Sequence, residues 1–331
     1  MKLEDARALL ESALSANGYG AAEAVVIADH LMDCELRGLG YAGLARGVSI
    51  IEHDRRAALK RRPIEILRQT PVSAHLDGGD DLGYLVAMRA TEIAIDKCRT
   101  SGIAIVGAKK THFTGMFSHY LERVTSAGFV GMIAGSGPAT VAPYGGTEPR
   151  FSTNPIAFGF PSQDVPVIWD ITTSSITHAE ATLAMRLGEP LPEGRGFDRE
   201  GRPTTDPAAL LAGGAMAPWG GHRGSGLAMS VQMLAMMAGQ ANVFLRGPEP
   251  EDFGYVIVVI DPGLFGEADA FRQAVSEYAA QVRQARPLDP GVPVRVPFER
   301  SAEVRARTLA AGAIDVPDLV VETLRRFAGG G

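Results

Sequence analysis

The sequence predicts a mixed α+β chain with a β-containing centre and helical parts at both ends, and three observations carry that expectation. Apolar residues recur at helical spacing near the N-terminus, short strand-type apolar runs occupy the middle, and helical patterns return towards the C-terminus. With 46% hydrophobic and 21% charged residues, the 331-residue chain has the composition of a globular protein of one large or two moderate domains.

Taken in order, the first forty residues read as two helices. Ala6, Leu10 and Leu14 repeat at i+4 before the stop at Asn17-Gly18, and Val25, Ala28, Met32 and Leu36 repeat at i+3 and i+4 before Gly38. Residues 41–70 mix helical and loop character, with a break at Arg62-Pro63. Residues 82–99 are helical and run into a strand over 103–108, which places His112 just past a strand end. Further strands are expected at 129–134, 165–169 and 255–260, and helices at 177–187, 226–238 and 268–283. The glycine tail, Gly329 to Gly331, reads as frayed.

Composition excludes several classes. No apolar run has the length of a membrane span, and the start lacks the basic and apolar regions of a secretion signal, so a cytoplasmic protein is expected. Cys34 and Cys98 have no metal or redox spacing and read as reduced core residues. Net charge is −6, and the run Arg55, Arg56, Lys60, Arg61 and Arg62 reads as a solvated helix face without the aromatic platform of a nucleic-acid site. The seven histidines are scattered, so no metal site is expected, and no Gly-x-Ser-x-Gly nucleophile elbow occurs.

Four segments bear on chemistry. Gly135-Ser136-Gly137-Pro138-Ala139-Thr140 opens like a dinucleotide fingerprint, but it lacks the third glycine and a following helix. His112, between Lys109-Lys110 and Thr114-Gly115, can act as a proton donor near neutrality, or can be a loop histidine bonded to backbone. The loop from Gly220 to Gly226, containing His222 and Arg223, combines flexible backbone, a helix N-terminus and a guanidinium suited to phosphate, or is only a tight connection. Asp170, followed by Thr172, Thr173, Ser174 and Ser175, can bind ribose hydroxyls, but reads better as a cap for the next helix. Met229, Met233, Met236 and Met237 read as core packing.

These segments, together with Gly145-Gly146-Thr147-Glu148, Ser152-Thr153-Asn154-Pro155 and the stretch from Asp198 to Pro207, resemble the type 2 malate/L-lactate dehydrogenases over nearly the whole chain. The resemblance implies a non-Rossmann, nicotinamide-dependent oxidoreductase acting on a small molecule as a homodimer, each site near the subunit boundary. It divides the chain into a helical domain, 1–72 with 285–331, and an NAD(P)-binding mixed α/β domain, 73–284. It assigns proton transfer to His112, the substrate carboxylate to Arg46, and the cofactor to Ser136, Thr153, Asn154, Asp170, Thr172, His222 and Arg223.

The departures concern substrate. The family motif Arg-Gly-x-Asp-Ser-His-Gly-x-x-Arg reads here from Arg37 to Arg46 with Tyr41-Ala42 in place of Ser-His, so a polar pair has become one phenol and a methyl. Losing such donors discriminates against substrates that needed them, which points away from malate and lactate. Thr114 replaces a family glycine, Arg223 a lysine, and Ala179-Glu180 a Gly-Lys pair. Gly137 places no acid beside Ser136, which inclines the cofactor to NADPH over NADH, since a carboxylate there would repel a ribose phosphate. The function expected is reduction of a 2-oxo acid or a cyclic 2-imino acid, with Tyr41 against the substrate. The alternative is a diverged, catalytically weak paralogue that binds nucleotide or a protein partner.

Overall fold

A computed structural model describes residues 1–57, 60–240 and 253–329, and of residues 55–57 the backbone alone. The chain opens with helices α1 (Leu3–Ala16), α2 (Ala21–Leu36) and α3 (Leu44–Ala57), with one turn of 3-10 helix at Gly40–Ala42. Strands β1 (Glu65–Thr70) and β2 (Ser73–Leu82), helix α4 (Gly83–Ser101), strand β3 (Ile103–His112), helix α5 (Phe117–Ser126) and strand β4 (Val130–Ser136) follow. Next come β5 (Ile156–Phe160), β6 (Val167–Ile171), α6 (His178–Leu187), β7 (Gly196–Phe197), α7 (Pro207–Leu211), β8 (Ala215–Met216) and α8 (His222–Met237). Strand β9 (Phe253–Ile260) and helices α9 (Ala268–Arg283), α10 (Glu299–Ala311) and α11 (Asp318–Phe327) complete the described chain.

Among the described residues, seven strands form one mixed sheet in the order β1-β2-β3-β9-β4-β5-β6. Only β2 and β3 pair in parallel, joined by the crossover helix α4; the other neighbours are antiparallel. Along β3 the burial alternates, so Ala104, Val106 and Ala108 join the core under α4 while Ile103 and Ile105 face outwards. Cys98 and Tyr120 join the same core, and both cysteines are free and buried. A second core gathers Leu10 and Leu14 of α1, Ile27 and Leu31 of α2, Ile50 and Ile51 of α3, and Val320 and Leu324 of α11. Asn17 stitches its two ends, donating to Ala13 O at 2.7 Å and Phe327 O at 3.0 Å.

The strands expected at 103–108, 129–134 and 255–260 fall on β3, β4 and β9. The one expected at 165–169 is displaced to Val167–Ile171, because Pro166 has no N–H to give to a ladder. Strand β1 escapes sequence reading because it is an edge strand with an almost wholly exposed face. Strand β2 carries Asp77-Gly78-Gly79-Asp80-Asp81, turn-like residues that form a bulge between two paired stretches. The methionine stripe is a correction: Met229, Met233, Met236 and Met237 are 46–62% exposed, since α8 buries its opposite face through Ala228, Val231 and Ala235. The basic run is another: Arg61 and Arg62 lie beyond α3 and pair with Asp81 and Glu23, and with Asp77 and Asp80, rather than forming a solvated helix face. The Arg55 and Arg56 side chains, Gly330 and Gly331 lie outside the described residues.

Glu35 ties the fold to the site. Its buried carboxyl accepts from Leu44 N at 2.6 Å, anchoring the turn that carries Tyr41 to the start of α3. Burial pushes this carboxyl up to about 7, outweighing that hydrogen bond. In the unfolded chain the group ionises near 4.5. Stability from the neutral acid is therefore full below pH 4.5 and is lost as pH rises through 7. Glu35→Gln has no proton to lose, so its Tm difference from wild type should rise between pH 4.5 and 7.5 by the equivalent of about 3 kcal/mol. A difference that stays flat over that range rules the linkage out.

Candidate active site

Strand β3 ends at His112, which is 2% exposed, and hands the chain to a short loop before α5. In that loop Phe113 has φ +52° and Gly115 φ +71°. The loop is held from behind: Met116 N donates to His30 Nε2 at 2.9 Å, and Tyr120 Oη donates to Thr114 O at 2.7 Å. From the opposite side α3 presents Arg46, His53 and Asp54. The Arg46 guanidinium lies 4.7 Å over the Phe113 ring, and the rings of His53 and His112 are 4.9 Å apart.

Between these elements and the ends of β4 and β6 lies a cavity of about 780 Å³, the size of sites that enclose small ligands and cofactors. Tyr41, Arg46, Ser136, Thr153, Asp170 and Thr172 all line it. His112 is buried and is not among the lining residues, although the next residue, Phe113, is. Asn154 is fully buried with φ +38°, its amide nitrogen donating to Ala228 O at 2.7 Å. Ser136 Oγ donates to Gln232 Oε1 at 2.6 Å, so Ser136 and Asn154 both bind the cavity wall to α8. Thr172 Oγ1 donates to Thr153 O at 2.7 Å.

Three sequence-predicted features are placed differently. His222 and Arg223 form the first turn of α8, are exposed and do not line the cavity; the loop's later glycines lie inside the helix. Asp170 caps a helix, but not the following one: it accepts from Ser118 N at 2.7 Å at the start of α5. Burial pushes its carboxyl up to about 6, against the N–H groups of Ser118 and Phe117. Helix α6 is capped instead by Thr177 and Glu180, which bond each other's backbone N–H reciprocally.

Sequence reading missed Asp54 as a site residue. Its signal was spacing, because Arg46, His53 and Asp54 stand two helical turns apart on α3 and share one face. Asp54 Oδ1 is 3.3 Å from His112 Nε2. His53, Asp54 and His112 are also the one group of three metal-type ligands among the described residues, within 4.8 Å of one another. The 3.3 Å approach is that of a hydrogen-bonded imidazole and carboxylate.

The cavity fits a nicotinamide nucleotide on chemical grounds. Thr140, Thr153, Ser174 and Ser175 supply hydroxyls to its lining, and the buried Thr140 Oγ1 has no hydrogen-bond partner among the described residues. Strand β4 runs on after Ser136 into irregular chain, with no helix to complete a strand-turn-helix phosphate site. Strand order and the missing strand-turn-helix define a mixed α/β class without a Rossmann domain. The malate/L-lactate dehydrogenase family profile matches residues 1–325, and the chain belongs to that family.

A (2R)-3-sulfolactate dehydrogenase (NADP(+)) from Chromohalobacter salexigens is 32% identical, over 99% of this chain and 98% of the relative. A Delta(1)-pyrroline-2-carboxylate/Delta(1)-piperideine-2-carboxylate reductase from Pseudomonas syringae is 34% identical, over 72% of this chain and 70% of the relative. Among solved structures, a dehydrogenase from Sinorhizobium meliloti superposes with a TM-score of 0.91 at 29% identity, covering 99% of this chain and 97% of that one. No helix of the described residues is long and apolar enough to cross a membrane.

Proposed function

We propose that the protein reduces a 2-oxo acid or a cyclic 2-imino acid with NAD(P)H, His112 giving the proton and Arg46 holding the carboxylate. One observation carries the reading: Arg46 and the loop that starts at His112 close the same cavity wall, with the guanidinium over Phe113. NAD(P)H bound in the cavity would supply a hydride, one proton with two electrons, for C2 of the substrate. As the C2–H bond forms, the π pair of C=O or C=N moves to the heteroatom, and the His112 imidazolium N–H breaks to protonate it. Arg46 grips the carboxylate through paired N–H donors and fixes which face of C2 is presented. Tyr41, on the same wall, fills the volume of the lost polar pair and offers one phenolic donor.

Ser136, Thr153, Asn154, Asp170 and Thr172 form or back the cofactor side of the cavity, while His222 and Arg223 would reach a phosphate only at its outer end. Gly137 beside Ser136 and the NADP(+) relative both incline the cofactor to NADPH. We take 1–72 with 285–331 as a mainly helical unit that clasps the NAD(P)-binding unit, 73–284, and lends it the edge strand β1. A second copy of the chain covers the exposed methionine face of α8, since a solvent-facing row of four methionines suits burial in an interface.

The test is turnover at 340 nm with NADPH and NADH across a panel of 2-oxo acids, including 3-sulfopyruvate, and cyclic 2-imino acids. Oxidation of cofactor by at least one member, faster with NADPH, is the expected result. Cofactor binding by fluorescence with no oxidation across the panel would return the reading to a nucleotide-binding paralogue.

A further inference from the structure

His112 is one end of a part-buried relay that the family reading does not contain. Asp54, in the last turns of α3, puts Oδ1 3.3 Å from His112 Nε2, and its other oxygen, Oδ2, accepts from Tyr19 Oη at 2.6 Å. The three residues come from three elements, the turn between α1 and α2, α3 and β3. Tyr19 is 3% exposed, and the Arg61 guanidinium stacks on its ring at 4.3 Å. Arg61 spends its charge on Asp81 at 3.1 Å and Glu23 at 3.2 Å, so it does not compete for Asp54.

We propose that Asp54, held by Tyr19, is the positioning residue that sets the orientation and tautomer of His112. With one carboxylate oxygen occupied by the phenol, the other faces a single imidazole nitrogen. That contact keeps a proton on Nε2 and leaves Nδ1 to serve the substrate. Once Nδ1 has given its proton, the ring is neutral and its tautomer is the one that can be recharged at Nδ1. In the charged ring the carboxylate balances the imidazolium inside a buried wall. Tyr19 keeps the carboxylate from rotating away, and burial with the neighbouring Asp54 charge keeps the phenol protonated as a donor. No covalent or redox change occurs in this relay; Asp54 and Tyr19 keep their protonation states throughout.

The inference rests on the proposed role of His112, and the experiment separates the two. With the substrate found in the panel, kcat and KM are measured for His112→Ala, Asp54→Asn, Asp54→Glu and Tyr19→Phe, with Tm for each. If His112→Ala retains turnover, the proton-donor reading fails whatever Asp54 does. If His112→Ala is inactive, Asp54→Asn should lose roughly 100-fold in kcat with KM within about threefold, the size of a lost acid–base contribution. Asp54→Glu, which restores the carboxylate, should recover at least roughly tenfold of that loss, a rescue that a packing role does not give. Tyr19→Phe removes one hydroxyl and should cost roughly fivefold in kcat. Asp54→Asn within twofold of wild type overturns the inference. Should Asp54→Asn not fold, an unchanged kcat in both Asp54→Glu and Tyr19→Phe overturns it equally.

Discussion

Arg46→Met should lower kcat/KM by roughly 1000-fold while leaving NAD(P)H affinity within about threefold, because truncating one partner of a desolvated charge pair costs about 4 kcal/mol. Methionine keeps an unbranched side chain of similar length and removes the guanidinium, so the carboxylate loses its counter-charge and Phe113 loses the cation over its ring. The effect should appear in both parameters: weaker capture raises KM, and a substrate held loosely reaches the hydride in the wrong orientation, lowering kcat. Steady-state kinetics with the panel substrate and fluorescence titration of cofactor check the two halves. A loss below tenfold removes Arg46 from carboxylate binding. An equal loss of cofactor affinity moves it to the cofactor.

Gly115→Ala should destabilise the fold by about 4 kcal/mol and lower Tm by roughly 8 °C. Two costs add. At φ +71° an L side chain is strained by about 1–2 kcal/mol. A Cβ would also stand 2.2 Å from Tyr84 Cε1 and 2.5 Å from His30 Nε2, both buried, so relief requires moving the loop or these rings. That displacement costs about 1–3 kcal/mol and carries His112 and Phe113 with it, so kcat should fall more than stability alone implies. Thermal unfolding and turnover measured on the same sample decide the matter, and a Tm within 2 °C of wild type would show that the loop yields.

Much of the scaffold is legible in the chain. Helices α1, α2 and α4 follow from apolar periodicity ended by Asn17-Gly18, Gly38 and Gly102, and β3, β4 and β9 from apolar runs bounded by turn residues. Less legible were strands whose residues imitate turns: the Asp-Gly run of β2 pairs with β3 only because a bulge absorbs it. The α8 methionines show a further limit. Periodicity reveals that a face is apolar but not whether the neighbour covering it belongs to the same chain.

The candidate site divides the same way. Ordered local motifs single out Arg46, His112, Asp170 and Thr172, because each motif is a short run whose chemistry does not depend on distant partners. Local sequence left Asp170 between two roles, and its hydrogen bond to Ser118 N, 52 residues back along the chain, makes it the cap of α5. The placement of Arg223 outside the cavity follows from where α8 crosses β4 and β9.

The sequence by itself determined the α+β class, the family and the residues that could carry a proton and a carboxylate, since these depend on residue type and on order along the chain. Tertiary structure decided which groups meet: Arg46 with Phe113, Asp170 with α5, Tyr19 with Asp54 across 35 residues, and Asp54 with His112 across 58. Hydrogen bonds and ion pairs act over about 3 Å, and a distance of that size between residues far apart in the chain exists only once the sheet and helices have packed.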